Sequence, residues 1–319
     1  MDLYIKVARM LTVIVGSLAA GYLLRRGVRL PRARSTSITR AAMAYLQPIP
    51  LALMIWGLEP PGWKTSLLPV AAAALMLATW PVAWVVARLL RLDDRGTGSF
   101  IISAMFSNVG LTYGAFVCYI LLGELGAALG LIYCLAFSPV FYTVGFSIGR
   151  HYGHGGGKGI GSVIADTWRE PQTRNPLLGF ILGGVLNLAG APRPELVAPL
   201  LDLLIPGTTA VFLFAIGLSL SLTSVMREGR QCLALGFVKF LISPLIALGL
   251  AWLAGLGGEM SHTVMQVFFI QSTTPVAIMA LVIPQLFDLD RDLANAGWLT
   301  SNLAAIGLAY FVLGIAVGL

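Results

Sequence analysis

Long apolar runs alternate with short polar segments along the whole chain, and the length of the runs sets the architecture. Roughly 17–25 consecutive apolar residues is the length of a helix that crosses a bilayer. Ten runs of about this kind are read, at residues 5–24, 38–58, 67–90, 99–123, 126–148, 176–188, 200–225, 232–256, 263–287 and 297–319. The sixth is short and borrows from its flanks. The predicted fold is all-α and membrane-integral, with ten spans.

Two of the runs contain polar residues where a continuous span would be apolar. In the ninth, Gln271-Ser272-Thr273-Thr274-Pro275-Val276-Ala277 falls mid-run. A proline removes one backbone donor and crowds the carbonyl a turn earlier. Hydroxyl residues are good N-cap types and proline suits a first helical turn. The pattern therefore predicts two half-helices, with Pro275 opening the second. In the fourth run, Ser107-Asn108-Val109-Gly110 stands at a similar depth. Interrupted spans at matching positions of two halves point to a transporter binding site near the bilayer midplane.

The halves echo one another elsewhere. Gln47-Pro48-Ile49-Pro50 in the second run answers Ile205-Pro206-Gly207-Thr208-Thr209 in the seventh, and Pro81 in the third answers Pro244 in the eighth. Five spans per half is an odd number, so a second copy enters the membrane in the opposite sense. The expected organisation is a first five-helix repeat at 1–149, a polar cytoplasmic linker at 150–175 and a second, inverted repeat at 176–319, with helices four and nine broken.

Composition agrees with the pattern: 57% of the residues are hydrophobic and 11% charged, against about 25% charged in soluble domains. The formal charge of +7 lies in short segments between runs and so concerns orientation, not nucleic acid. Arg25, Arg26, Arg29, Arg32, Arg34 and Arg40 follow the first run. Arg88, Arg91 and Arg95 follow the third, Arg150, Lys158, Arg169 and Arg174 the fifth, Arg227 and Arg230 the seventh, and Arg291 the ninth. The opposite side carries Lys6, Arg9, Lys64 and Arg193. The positive-inside rule puts the first set in the cytoplasm and both termini outside. The N-terminal arginines follow the apolar stretch, which reads as a retained span and not as a signal peptide. The expected location is a plasma membrane, the inner one in a bacterium.

The candidate chemistry is binding. Two half-helix N-termini meeting near the midplane would present free N–H groups and positive dipole ends to an anion. Asn108 adds an amide, Ser107, Ser272, Thr273 and Thr274 add hydroxyls, and Gly110 admits close backbone approach. Gln271, Tyr113, Asn302 and Gln47 could line the same cavity. The competing view is that the hydroxyls cap kinks while glycine and proline ease helix packing. Lys239, inside the eighth run, is a candidate proton-coupling residue or a partner for a substrate carboxylate. Alternatively it snorkels to the cytoplasmic face.

Glu124 and Asp202 read as interfacial, and Asp288, Asp290 and Asp292 as a capped, solvated turn. His154 to Gly159 lacks the phosphate-loop ending, and His151 and His154 close no metal site. Cys118, Cys134 and Cys232 have no redox or metal spacing. The chain carries no nucleophile–base pair of familiar spacing, and neither an enzyme nor a cofactor is expected.

The chain resembles the auxin efflux carrier family of transporters, within the superfamily that also holds bile acid and arsenite carriers. Phe106-Ser107-Asn108-Val109-Gly110 is similar to that family's Asn-x-Gly break. Thr274-Pro275-Val276-Ala277, followed by Leu289-Asp290-Arg291-Asp292-Leu293-Ala294, is similar to its ninth span and next turn. Phe214-Ala215-Ile216-Gly217-Leu218 and the prolines after Tyr45 match more loosely. The resemblance implies that the broken helices four and nine cross, with helices one, two, six and seven as a scaffold and the others as a transport domain that moves in an elevator-like way. The crossover asparagine carries over to Asn108 and the ninth-span proline to Pro275. Leu111-Thr112-Tyr113-Gly114 departs from the family pattern, because it has no fourth-span proline.

The expected function is secondary active transport of a small organic anion, with H+ as coupling ion or Na+ as the alternative. A sodium-coupled symporter of bile-acid-like amphipathic anions and a membrane-embedded ligand sensor are the other readings. Expected partners are the anion, the lipid bilayer and a second copy of the chain as a homodimer.

Overall fold

The structure is a computed structural model, and it describes residues 12–28, 32–58, 63–153, 169, 171–219, 227–253 and 262–318. The glycine-rich segment with His154 and Lys158 lies outside these, as does most of the predicted linker. In chain order the helices are α1 (Ser17–Val28), α2 (Arg32–Ala41), α3 (Pro48–Trp56), α4 (Leu67–Leu89), α5 (Asp94–Met105) and α6 (Gly114–Tyr133). There follow α7 (Phe146–Tyr152), α8 (Pro171–Leu188), α9 (Val197–Ser219), α10 (Gly229–Phe237) and α11 (Ser243–Leu253). The last are α12 (His262–Ser272), α13 (Val282–Leu286) and α14 (Arg291–Gly318).

Five helical stretches among the described residues are long and apolar enough to cross a membrane: Ser37–Trp56, Leu67–Leu89, Gly114–Tyr152, Val197–Leu218 and Gly229–Leu253. The third of these is divided at Gly123, whose φ of 72° and ψ of −158° lie outside the helical region. That conformation costs glycine little, and it falls at the predicted end of the fourth run.

Proline shapes two of the membrane helices. Wide π-helical turns at Ala42–Leu46 and Val238–Ile242 each close two residues before a proline, Pro48 and Pro244. The extra residue relaxes the crowding a proline ring imposes on the preceding turn. The carbonyl of Ala44, four residues before Pro48, instead accepts from Asn175 Nδ2 at 2.9 Å. A carbonyl freed within an apolar helix is thereby satisfied, as a bilayer requires.

The chain forms two compact units, each drawn from three separate segments. One comprises Met1–Gly62, Gly110–Leu131 and Val163–Leu220. It is built on glycine-mediated helix pairs. Gly21 of α1 lies against the backbone of Phe214 and Gly217 on α9, and Gly217 lies reciprocally against Leu18. Gly179 and Gly183 of α8 meet the Pro48 and Ala52 carbonyls of α3 in the same manner. Small residues let membrane helices approach this closely. Asn187 closes the end of α3 by donating to the carbonyls of Trp56 (3.1 Å) and Leu58. Glu124 pairs with Arg193, and the Tyr119 hydroxyl donates to Asp202.

The second unit comprises Trp63–Val109, Ile132–Ser162 and Ser221–Leu319. Asp93 caps α5 by accepting from the Gly96 amide at 2.8 Å. From Gly96 to Met105 every residue of α5 is buried. Phe106 packs edge-on against Phe137 and Phe141, and Phe146 against Phe141 and Phe287. The predicted aspartate turn is a capped turn: Asp290 accepts from the Leu293 amide at the start of α14, Asp288 pairs with Arg95 at 2.9 Å, and Asp292 with Arg227 at 2.8 Å.

Candidate functional site: a paired crossing beside a buried lysine

Helix α5 stops at Met105, and Phe106 turns extended at φ −98° and ψ 108°. Helix α12 stops at Ser272, and the chain is again non-helical until a 3₁₀ turn at Ile278–Leu281. The two irregular segments run antiparallel. Asn108 N donates to Pro275 O at 2.7 Å and Ala277 N to Phe106 O at 2.9 Å, which pairs Ser107 with Val276. Irregular backbone at membrane depth needs internal partners, and here each segment supplies the other's. The Val276 amide also donates to Ser301 Oγ at 3.1 Å, and the Val276 carbonyl accepts from Asn302 Nδ2 at 3.1 Å. Helix α14 thereby brackets Val276 on both of its polar groups.

The hydroxyls of the ninth-span motif act differently from the sequence expectation. Ser272, Thr273 and Thr274 donate to the carbonyls of Phe269, Ile270 and Gln271, at 2.6, 2.8 and 2.8 Å. They satisfy the last carbonyls of α12 and do not cap a following helix. Pro275 stands in the extended pair, before the 3₁₀ turn, and does not open a new helix. Its carbonyl is the acceptor for Asn108, and extended backbone suits its fixed φ. The fourth-span segment resumes as α6 at Gly114, which is divided at Gly123, and the ninth-span segment resumes through the 3₁₀ turn and the short α13.

Lys239 stands beside this crossing. It is 0% exposed and lies in the π-helical turn Val238–Ile242, so it does not snorkel. Its Nζ donates to Ser107 Oγ at 2.5 Å, which brings an amine onto the crossing. Gln271, also buried, donates from Nε2 to Val109 O at 3.0 Å. Ser107, Asn108, Gln271, Thr274, Pro275, Asn302 and Lys239 thus gather in the second unit. Gln47, Gly110 and Tyr113 belong to the first. There the Gly110 carbonyl accepts from the Tyr113 and Ala115 amides at 3.0 Å, and Gln47 precedes α3.

Ser301 escaped the sequence reading. Its signal was slight, a hydroxyl beside Asn302 in an otherwise apolar stretch. Among the described residues no group of three His, Cys, Asp or Glu side chains is placed to hold a metal.

The irregular polar crossing thus lies among apolar helices, and the proteins this chain is similar to are described as membrane transport proteins. Residues 160–312 match the family described as Membrane transport protein. An uncharacterized transporter of Methanocaldococcus jannaschii is 27% identical over 249 residues, covering 76% of both chains. An uncharacterized transporter of Methanothermobacter thermautotrophicus is 25% identical over 241 residues, covering 75% of both.

Proposed function

We propose that this chain is a secondary transporter, and no enzyme, that binds a small organic anion at the paired crossing. The observation that carries this reading is the hydrogen-bonded pair of irregular segments, Phe106 to Asn108 against Pro275 to Ala277, set among apolar helices. Interrupted spans whose backbone and amide groups line a midplane site are a recurring transporter design. The kinship with proteins described as transporters supports the general activity.

The ten-span inverted repeat is part of the proposal. It exchanges the first span with the sixth and the second with the seventh. The glycine-mediated pairs α1–α9 and α3–α8 are what such an exchange would produce from one another. The two interleaved units supply bodies for an elevator-like movement, with the crossing carried by the second. A proton is the coupling ion we favour, because no carboxylate stands among the residues gathered at the crossing.

The test is uptake of radiolabelled acetate, malonate and benzoate into proteoliposomes under imposed proton or sodium gradients. Proton-driven, sodium-indifferent uptake is expected for at least one acid. Strict sodium dependence would replace the proposed coupling ion. Absence of uptake of all three under every gradient would overturn the organic-anion reading.

A further inference from the structure

The crossing holds a buried lysine for which the described residues supply no carboxylate. Lys239 is fully enclosed within an apolar helix and its Nζ reaches only as far as the Ser107 hydroxyl. Among the described residues no carboxylate pairs with it, and the described acids of the same unit are engaged elsewhere. Asp93 and Asp290 cap helices, Asp288 pairs with Arg95 and Arg291, Asp292 and Glu228 pair with Arg227, and Asp94 is exposed in the first turn of α5.

Burying an ammonium is costly unless an opposite charge meets it, and ionisable residues inside membranes are functional candidates by default. A hydroxyl can orient the ammonium but cannot neutralise it. The carboxylate of a bound anion would supply that opposite charge.

We infer that Lys239 is the charge-selecting residue of the site, with the carboxylate of the transported anion as its counter-ion, received at Nζ beside Ser107 Oγ. The inference rests on the transporter reading and sharpens it, because anion preference then comes chiefly from one side chain. Asn108 and the crossing backbone orient the ligand. A compact point charge such as an ammonium recognises any small carboxylate, whereas a guanidinium would demand a planar, bidentate fit.

Binding of acetate, malonate and benzoate, each against its neutral amide, by the purified full chain in detergent tests this. The wild type is expected to bind at least one acid about tenfold or more better than the corresponding amide, the worth of a charge-assisted hydrogen bond. Lys239→Met should bring the acid down to the level of the amide. If the wild type binds acid and amide alike, or folded Lys239→Met keeps the acid preference within about twofold, the inference about Lys239 fails and a binding site at the crossing survives. If the wild type neither binds nor transports any of the acids, the organic-anion reading fails and the inference with it. Should Lys239→Met not fold, the wild-type comparison still decides. Ser107→Ala then gives the second readout, expected to narrow the preference for acid over amide severalfold, and an unchanged preference would count against the inference.

Discussion

Asn108 holds the crossing with its backbone, donating to Pro275 O, and its buried side chain is the amide that the proposed site assigns to the anion. Alanine keeps the backbone bond and removes only the amide. Asn108→Ala should therefore leave the fold intact and weaken anion binding by roughly tenfold to a hundredfold, the worth of one or two buried hydrogen bonds. Ligand-induced thermal stabilisation of the purified variant checks this, with size-exclusion behaviour as the measure of folding. Unchanged affinity would remove Asn108 from the site. Asn108 and Lys239 were legible in the sequence because a polar residue within an apolar run announces itself. The roles of Ser272 to Thr274 were not. Serine and threonine serve either end of a helix, and composition does not say which carbonyls or amides they meet. Ser301 was harder still, because its partner Val276 lies 25 positions away.

At the scale of elements, the pairing of α3 with α8 turns on what a glycine leaves out. A Cβ on Gly183 would run into the Ala52 carbonyl, whereas a Cβ on Gly184, next in sequence, meets nothing within 4 Å. The same substitution should act in opposite directions at the two sites. Gly183→Ala is expected to destabilise by about 1–3 kcal/mol through forced separation of the backbones. Gly184→Ala should be neutral or stabilise by up to about 1 kcal/mol through helix propensity. Thermal unfolding in detergent, read side by side, distinguishes them. Loss of stability in both variants would count against the close-packed pair. The prolines at 48 and 244 foretold irregular helices, but not the form of the irregularity. A π-helical turn ahead of each depends on where the displaced carbonyl finds its donor, as Ala44 does in Asn175. Proline alone does not determine that partner.

For the whole molecule, the sequence divides naturally into an earlier and a later half, while the structure groups the helices into two interleaved units. The two divisions are compatible. Repetition is a property of the order of elements, and compactness follows from which helix faces pack. Orientation in the bilayer is a third property, and it rests on charge. Arg88, Arg91 and Arg95 after the third run, Arg227 and Arg230 after the seventh and Arg291 after the ninth lead us to propose that these segments are cytoplasmic and that the turn holding Arg193 and Glu195 is outside. Glu195 and Arg291 are both exposed, and the three native cysteines are buried or partly buried. With those cysteines replaced, Glu195→Cys should react with a membrane-impermeant maleimide added to intact cells. Arg291→Cys should react only after the membrane is permeabilised. The opposite labelling pattern would invert the topology and place both termini in the cytoplasm. It would leave the crossing unchanged but reverse the side of the membrane from which each substrate gradient must be applied.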